Sequence, residues 1–263
     1  MTVHGVPIHY ASWNAEDVTK PPLLFVHGFL AHSHWWDVIA PFLTERYRVF
    51  AMDFSGMGES GHRNAYGLDL WHDEIIAVAK ALGGGPVTLI GHSFGGARAV
   101  DACSRSPSTF RQLVVIDSYL HFSDYALRAK QYEPHGEDRI YNSLEAALSH
   151  YRLIPGQESL PFVFEHLAHK SLRRKGAGWG WKFDEIHLGA HRSEADSSQL
   201  LAELDVPVSL VYGEHSSVVS REKMTRVANL LPQCRALVEI PDSSHHIMAD
   251  QPLALVAALR SLV

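Results

Sequence analysis

Only two cysteines, Cys103 and Cys234, occur in 263 residues. They can pair at most once, so no disulfide framework holds the fold, and both read as ordinary buried thiols. No apolar run approaches the roughly 18 residues needed to cross a bilayer. Residues 1–13 lack the basic start and apolar centre of a secretory signal. These absences predict a cytoplasmic protein with no membrane partner. Basic charge is also in short supply: 23 Lys and Arg against 29 Asp and Glu give a net charge of −6, which leaves no cationic surface for nucleic acid. Internal repeats and low-complexity tracts are missing. The 18 histidines prompt a search for a metal site, since His187 and His191 stand four apart and His166 and His169 three apart. No His-Glu-x-x-His and no close cysteine pair accompanies them, so no metal or other cofactor is expected.

What is present is a globular composition, 46% hydrophobic and 20% charged. A chain of this length can bury about three quarters of its unfolded surface. Short apolar runs alternate with helical spacings almost to the end, the pattern of an α/β domain. Residues 6–13 read as a strand, 23–26 as a buried strand, and Trp35, Trp36, Ile39 and Leu43 as a helix face. Residues 47–52 make the next strand. The loop 53–60 contains Gly56 and Gly58 but no third glycine opening a helix, so it reads as a tight turn and not as a dinucleotide fingerprint. Leu70, Ile75, Ile76, Ala79 and Leu82 form a helix face stopped by Gly83-Gly84-Gly85-Pro86.

The run 87–90 then meets Gly91-His92-Ser93-Phe94-Gly95, followed by small residues at helical spacing. Strand, sharp turn and helix in that order put Ser93 in a strained backbone conformation with its hydroxyl clear of the sheet edge, and glycines are needed where a Cβ would collide. Residues 113–116 form another buried strand, closed by Asp117. The strand rhythm then vanishes from 119 to 200, a stretch holding Pro134, Pro155, Pro161, the basic run Arg173-Arg174-Lys175 and the aromatics Trp179, Trp181 and Phe183. We read it as a helical cap. Strands resume at 208–212 and 236–240, with helices at 221–231 and 253–262.

Four ordered motifs resemble the α/β-hydrolase superfamily: His27-Gly28-Phe29, the 53–60 loop, the Gly91 to Gly95 pentapeptide, and Ser244-His245-His246 after the last strand. The resemblance covers nearly the whole chain outside the cap. It implies an α/β-hydrolase fold with a mostly parallel eight-stranded sheet flanked by helices and a cap inserted after the sixth strand. The domain boundaries that follow are 1–118 and 201–263 for the core and 119–200 for the cap. The site is expected at the carboxyl ends of the strands.

The chemistry implied is that of a serine hydrolase acting on a small, largely apolar ester-like substrate. A serine hydroxyl needs a base within reach and a third group to orient that base. Ser93 is the nucleophile, and His245 fits the base, with His246 as the neighbouring alternative. His92 flanks the serine and packs. Family geometry assigns the oxyanion donors to the backbone amides of Phe29 and Phe94, whose rings, with Trp181, are candidates to line the substrate pocket. The acid departs from the pattern. Relatives usually carry an aspartate three residues after the glycine ending the seventh strand, but Gly213-Glu214-His215-Ser216-Ser217 has serine there. Asp117, at the end of the preceding strand, is the expected acid; Glu214 and the absence of any acid are the alternatives. Carbon–carbon bond hydrolysis or cofactor-free perhydrolysis would use the same residues, and a non-catalytic ligand-binding protein would need no acid.

Overall fold

The computed structural model describes residues 1–120, 136–188 and 196–263. Two residues at each side of a turn, β1 (Thr2–Val3) and β2 (Val6–Pro7), form a separate antiparallel ladder. The main sheet holds seven strands: β3 (Tyr10–Trp13), β4 (Pro22–Val26), β5 (Arg48–Met52), β6 (Val87–His92), β7 (Phe110–Ile116), β10 (Val208–Gly213) and β11 (Cys234–Ile240). Their order is β11-β10-β7-β6-β4-β5-β3, parallel throughout except for β3, which runs antiparallel to β5. The eight strands expected are thus seven among the described residues. The chain splits where one strand over 6–13 was expected: Ile8 N–H bonds Met1 and His9 N–H bonds Ser60, so neither extends the ladder to β5.

Helices cover both faces. They are α1 (Leu68–Leu82), α2 (Phe94–Arg105), α5 (Ser198–Ala202), α6 (Arg221–Leu230), α7 (Ile247–Asp250) and α8 (Pro252–Leu262). Every residue of β4, β5, β6 and β10 is buried, which is why apolar residues dominate both faces of these strands. Side chains alternate between the two layers: Leu24 and Val26 join the cluster with Trp71 and Ile75 of α1, whereas Leu23 and Phe25 join Trp36, Leu255 and Leu259 on the other face. The helix expected from Trp35 to Leu43 is instead two single-turn 3₁₀ segments, Ser33–Trp36 and Ala40–Leu43. Pro41 explains the break, because it lacks the N–H that a continuous helix would need there.

The insert between β7 and β10 is not purely helical. Its described parts contain α3 (Leu144–Leu148), α4 (Pro161–Lys170) and a hairpin of β8 (Leu172–Lys175) with β9 (Gly178–Trp181). The basic run thus lies on a strand, with Trp179 opposite Arg174 and Trp181 opposite Leu172 across the ladder. Gly176, at φ +60°, makes the connecting turn. Gly178 and Gly180 let carbonyls of Tyr141 and Arg139 approach where a Cβ would intrude. Pro134 and His191 lie outside the described residues. The boundary expected at residue 200 falls inside α5, whose Leu201 belongs to the core cluster.

Gly95 offers a test of the packing between α2 and β4. A Cβ there would overlap the carbonyl oxygen of His27 and lie 2.8 Å from that of Val26. Helix propensity alone predicts that Gly95→Ala gains about 1 kcal/mol, while the collision predicts a loss of about 1–3 kcal/mol. We expect urea unfolding to show the loss; a gain would mean that the loop after β4 yields freely.

Candidate active site

Ser93 sits between the last residue of β6 and the first of α2 with φ +53° and ψ −121°, a conformation L-residues rarely adopt. The surrounding glycines make the turn possible. A Cβ on Gly91 would lie 2.7 Å from Gly95 O, and one on Gly96 would overlap the Ser118 hydroxyl. The serine amide donates to Ile116 O at 2.9 Å, tying the turn to the end of β7. Gly28 brings the loop after β4 alongside, where an added Cβ would be 3.4 Å from that of Ser93. That loop is fixed by His27, which donates from Nδ1 to Gly28 O at 2.7 Å and accepts from Phe54 N–H at 3.2 Å. The 53–60 loop is pinned at Asp53, which accepts from Glu59 N–H within the loop and from Ser33 N–H and His9 Nδ1 outside it.

His245 enters from the loop after β11. Asp250 of α7 holds this loop, accepting from the Ser243 hydroxyl at 2.8 Å and the Ser244 amide at 2.7 Å. His92 Nε2 donates to the carbonyl of His245 at 3.0 Å. The imidazole of His245 then lies with Nε2 3.0 Å from Ser93 Oγ and Nδ1 2.6 Å from Asp117 Oδ1. Asp117 follows β7 at φ +44°, its amide donating to Val211 O at 2.8 Å. Its carboxylate is wholly buried. Oδ2 accepts from Gly213 N–H at 2.9 Å, and Oδ1 also accepts from Ser216 Oγ at 2.6 Å.

The structure therefore brings together Ser93, His245 and Asp117 and leaves the alternatives outside. Glu214 is exposed and accepts from Asp242 N–H at 3.0 Å. His246 is buried, tilted against Trp35 with ring centroids 5.1 Å apart, and faces the carbonyls of Ile154 and Pro155. Phe94 opens α2, so its amide is among the helix-start donors without an intrahelical acceptor. The half-buried rings of Phe29 and Phe94 meet edge-on at 5.5 Å, and Phe94 also touches Trp71 at 5.0 Å. Trp181 is buried in another cluster, stacked on Phe183 at 6.0 Å and near Tyr151 at 6.4 Å.

Two groups of metal-capable donors occur among the described residues: His92 with His245 and His246, and the exposed set Glu214, His215 and Asp242. In the first, Nε2 of His92 and both nitrogens of His245 are committed to protein partners. His166, singled out for its spacing, is engaged with Asp37 at 2.7 Å. Sequence reasoning missed Ser216 and Asp250. Ser216 registered only as a missing carboxylate, and its hydroxyl was the available signal.

With the fold and these contacts established, the family follows. The chain belongs to the α/β-hydrolase family, whose model, described as the alpha/beta hydrolase fold, matches residues 21–252. Among curated relatives, an esterase of Mycobacterium tuberculosis is 26% identical over 93% of this chain and 83% of its own length. A 2-(acetamidomethylene)succinate hydrolase of Mesorhizobium japonicum is 24% identical over 94% of this chain and 90% of its own. Among solved structures, the thioesterase domain from the curacin biosynthetic pathway superposes with a TM-score of 0.81 at 24% identity, covering 99% of this chain and 97% of that one. At that identity the likeness speaks for the fold alone.

Burial also sets the charge state of the histidines around the site. It pushes His27 down, His32 down to about 3, and His92 and His246 well below the usual histidine range, the last two helped by the neighbouring His245. In the unfolded chain these groups titrate near about 6.5. Their folded values are lower, so the unfolded chain binds protons first, and the stability present above about pH 6.5 is lost as pH falls. Each contributes up to about 1.4 kcal/mol per pH unit in that window. His9, raised by its bond to Asp53, acts in the opposite sense. We expect the urea midpoint at about pH 5.5 to lie below that at about pH 7.5; an equal or higher midpoint would show that the four rings are not held neutral.

Proposed function

We propose that the protein is a metal-free serine hydrolase that cleaves an ester or related acyl bond of a small, largely apolar substrate through an acyl-enzyme. The observation that carries this reading is the unbroken chain of contacts from Ser93 Oγ through His245 to Asp117, 3.0 Å and 2.6 Å long. In it Ser93 is the nucleophile. His245 Nε2 takes the serine proton as Oγ attacks the acyl carbon, then delivers it to the leaving group, and in the second half activates water. Asp117 holds Nδ1–H, which fixes the tautomer with Nε2 free to act as base and stabilises the imidazolium that forms. The amides of Phe29 and Phe94 are the donors for the developing oxyanion, each worth about 3–4 kcal/mol of barrier by analogy with such holes. The esterase and hydrolase names of the relatives agree with this class of reaction. The ligand-binding alternative is motivated by a missing acid, and the contact of Asp117 with Nδ1 supports the hydrolase reading instead.

The described parts of residues 119–200 are proposed to cover the site. Within them Trp181 serves packing, given its burial among Tyr141, Tyr151 and Phe183. Trp181→Ala should lower the melting temperature. Unchanged stability together with unchanged preference for acyl chain length would count against any role for it.

Hydrolysis of p-nitrophenyl esters, with fluorophosphonate labelling as the readout of the nucleophile, tests the central assignment. Ser93→Ala should abolish turnover and labelling while the fold persists, and His245→Ala should be severe where His246→Ala is mild. Loss of the orienting carboxylate in the serine-protease template lowers turnover by about 10⁴, so Asp117→Asn should fall by several powers of ten and Glu214→Gln by far less. A crippled Glu214→Gln beside a nearly normal Asp117→Asn would transfer the role to Glu214.

A further inference from the structure

Ser216 has more contacts than a turn residue needs. Its Oγ accepts from the amides of Val218 at 3.1 Å and Val219 at 3.2 Å and lies 2.6 Å from Asp117 Oδ1. A hydroxyl has one hydrogen and two lone pairs. Both amides can only donate, so they occupy the lone pairs, and the hydrogen is left for the carboxylate. The hydroxyl is therefore a donor of fixed direction, polarised by two amides, aimed at the oxygen that His245 Nδ1 also uses.

We propose that Ser216 is a positioning residue: its hydroxyl locks the Asp117 carboxylate toward His245 and limits how much of that charge the imidazole feels. The proposal rests on the reading of Asp117 as the acid. Gly213 N–H, at the end of β10, holds Oδ2 at 2.9 Å, and Ser216, in the turn after it, holds Oδ1, so both oxygens of a residue that follows β7 are gripped from the neighbouring strand. Gly213 and Ser216 hold one oxygen each independently of the imidazole; without Ser216, Oδ1 is held by His245 alone, the very group that it has to orient. The second effect is electrostatic. A donor on Oδ1 withdraws charge from the oxygen facing Nδ1, so the His245 imidazolium is stabilised less than by an unshared carboxylate. Removing that donor moves the proton affinity of His245 upward. The titratable rings of His92 and His246 also pack against His245, with centroids 4.8 Å and 4.7 Å away, and burial keeps both well below the usual histidine range.

The same hydroxyl closes the turn at 216–219, so stability alone cannot reveal the positioning role. The test measures kcat, KM and the pH dependence of kcat/KM for p-nitrophenyl acetate hydrolysis by the full chain. In Ser216→Ala we expect kcat to fall about tenfold, the share of one charge-assisted hydrogen bond, with KM nearly unchanged and the acid limb of kcat/KM displaced to higher pH. Ser216→Thr, which keeps the hydroxyl, should restore both. In an Asp117→Asn background Ser216→Ala should cost nothing more, because residues acting through one group are not additive. If Ser216→Ala does not fold, Ser216→Cys keeps the size and supplies only a weak donor, and it should show the same fall and displacement. A variant with a lowered melting temperature but wild-type kcat and acid limb overturns the proposal, as does a loss that multiplies with that of Asp117→Asn. A crippled Asp117→Asn beside an unaffected Ser216→Ala refutes only the role of Ser216, whereas a nearly normal Asp117→Asn refutes the acid assignment and this proposal with it.

Discussion

A carboxylate with no exposed surface, held 2.6 Å from an imidazole, is the contact on which the rest of the site depends. An isolated ionised carboxylate in such a place would be prohibitively costly, and it persists only when donors surround it. Asp117 has three: a backbone amide at the end of β10, a serine hydroxyl from the turn beyond it, and His245 from the loop after β11. Three neighbouring strands, β7, β10 and β11, must therefore end at the same level. A parallel sheet delivers that arrangement, because every strand sends its chain out of the same edge.

Ser93 completes the constellation from the fourth strand in that row. Its φ of +53° is a local cost that the surrounding sequence allows by keeping Gly91, Gly95 and Gly96 bare. The strained turn also starts α2, so the hydroxyl and the first free amide of the helix arise at one point of the chain. The loop after β4 closes against it through Gly28, with His27 fastening that loop to the next one. The backbone groups and side chains of the candidate site are thus assembled from loops whose positions the sheet dictates.

Much of this was legible in the sequence, for identifiable reasons. Strands buried on both faces appear as continuous apolar runs, so β4, β6, β7 and β10 were found where they lie. Helix α1 was bounded by its glycine and proline stop. The pentapeptide around Ser93 carries its own geometry, and the order of motifs gave the fold. Other features depended on tertiary partners and left no local mark. Pro7 and the paired amides of Ile8 and His9 split an apparent strand in two, and Pro41 broke an apparent helix into 3₁₀ turns. The hairpin of β8 and β9 is hidden because the basic run of β8 shows no apolar alternation that would mark a strand, and β9 offers only two spaced aromatics. Ser216 looked like an absence, since nothing in a serine's neighbours along the chain tells which carboxylate its hydroxyl will meet.

The functional account follows from where one proton resides. If His245 carries it on Nδ1 toward Asp117, Nε2 is free to serve Ser93, and every other assignment in the site follows from that tautomer. The most direct measurement is a proton NMR spectrum of the resting protein at low temperature, compared with those of Asp117→Asn and Glu214→Gln. The account predicts a low-field signal, beyond the amide region, from the proton shared by His245 Nδ1 and Asp117 Oδ1. It should disappear in Asp117→Asn and remain in Glu214→Gln. Its absence from the wild-type spectrum, or its loss in Glu214→Gln and survival in Asp117→Asn, would contradict the account.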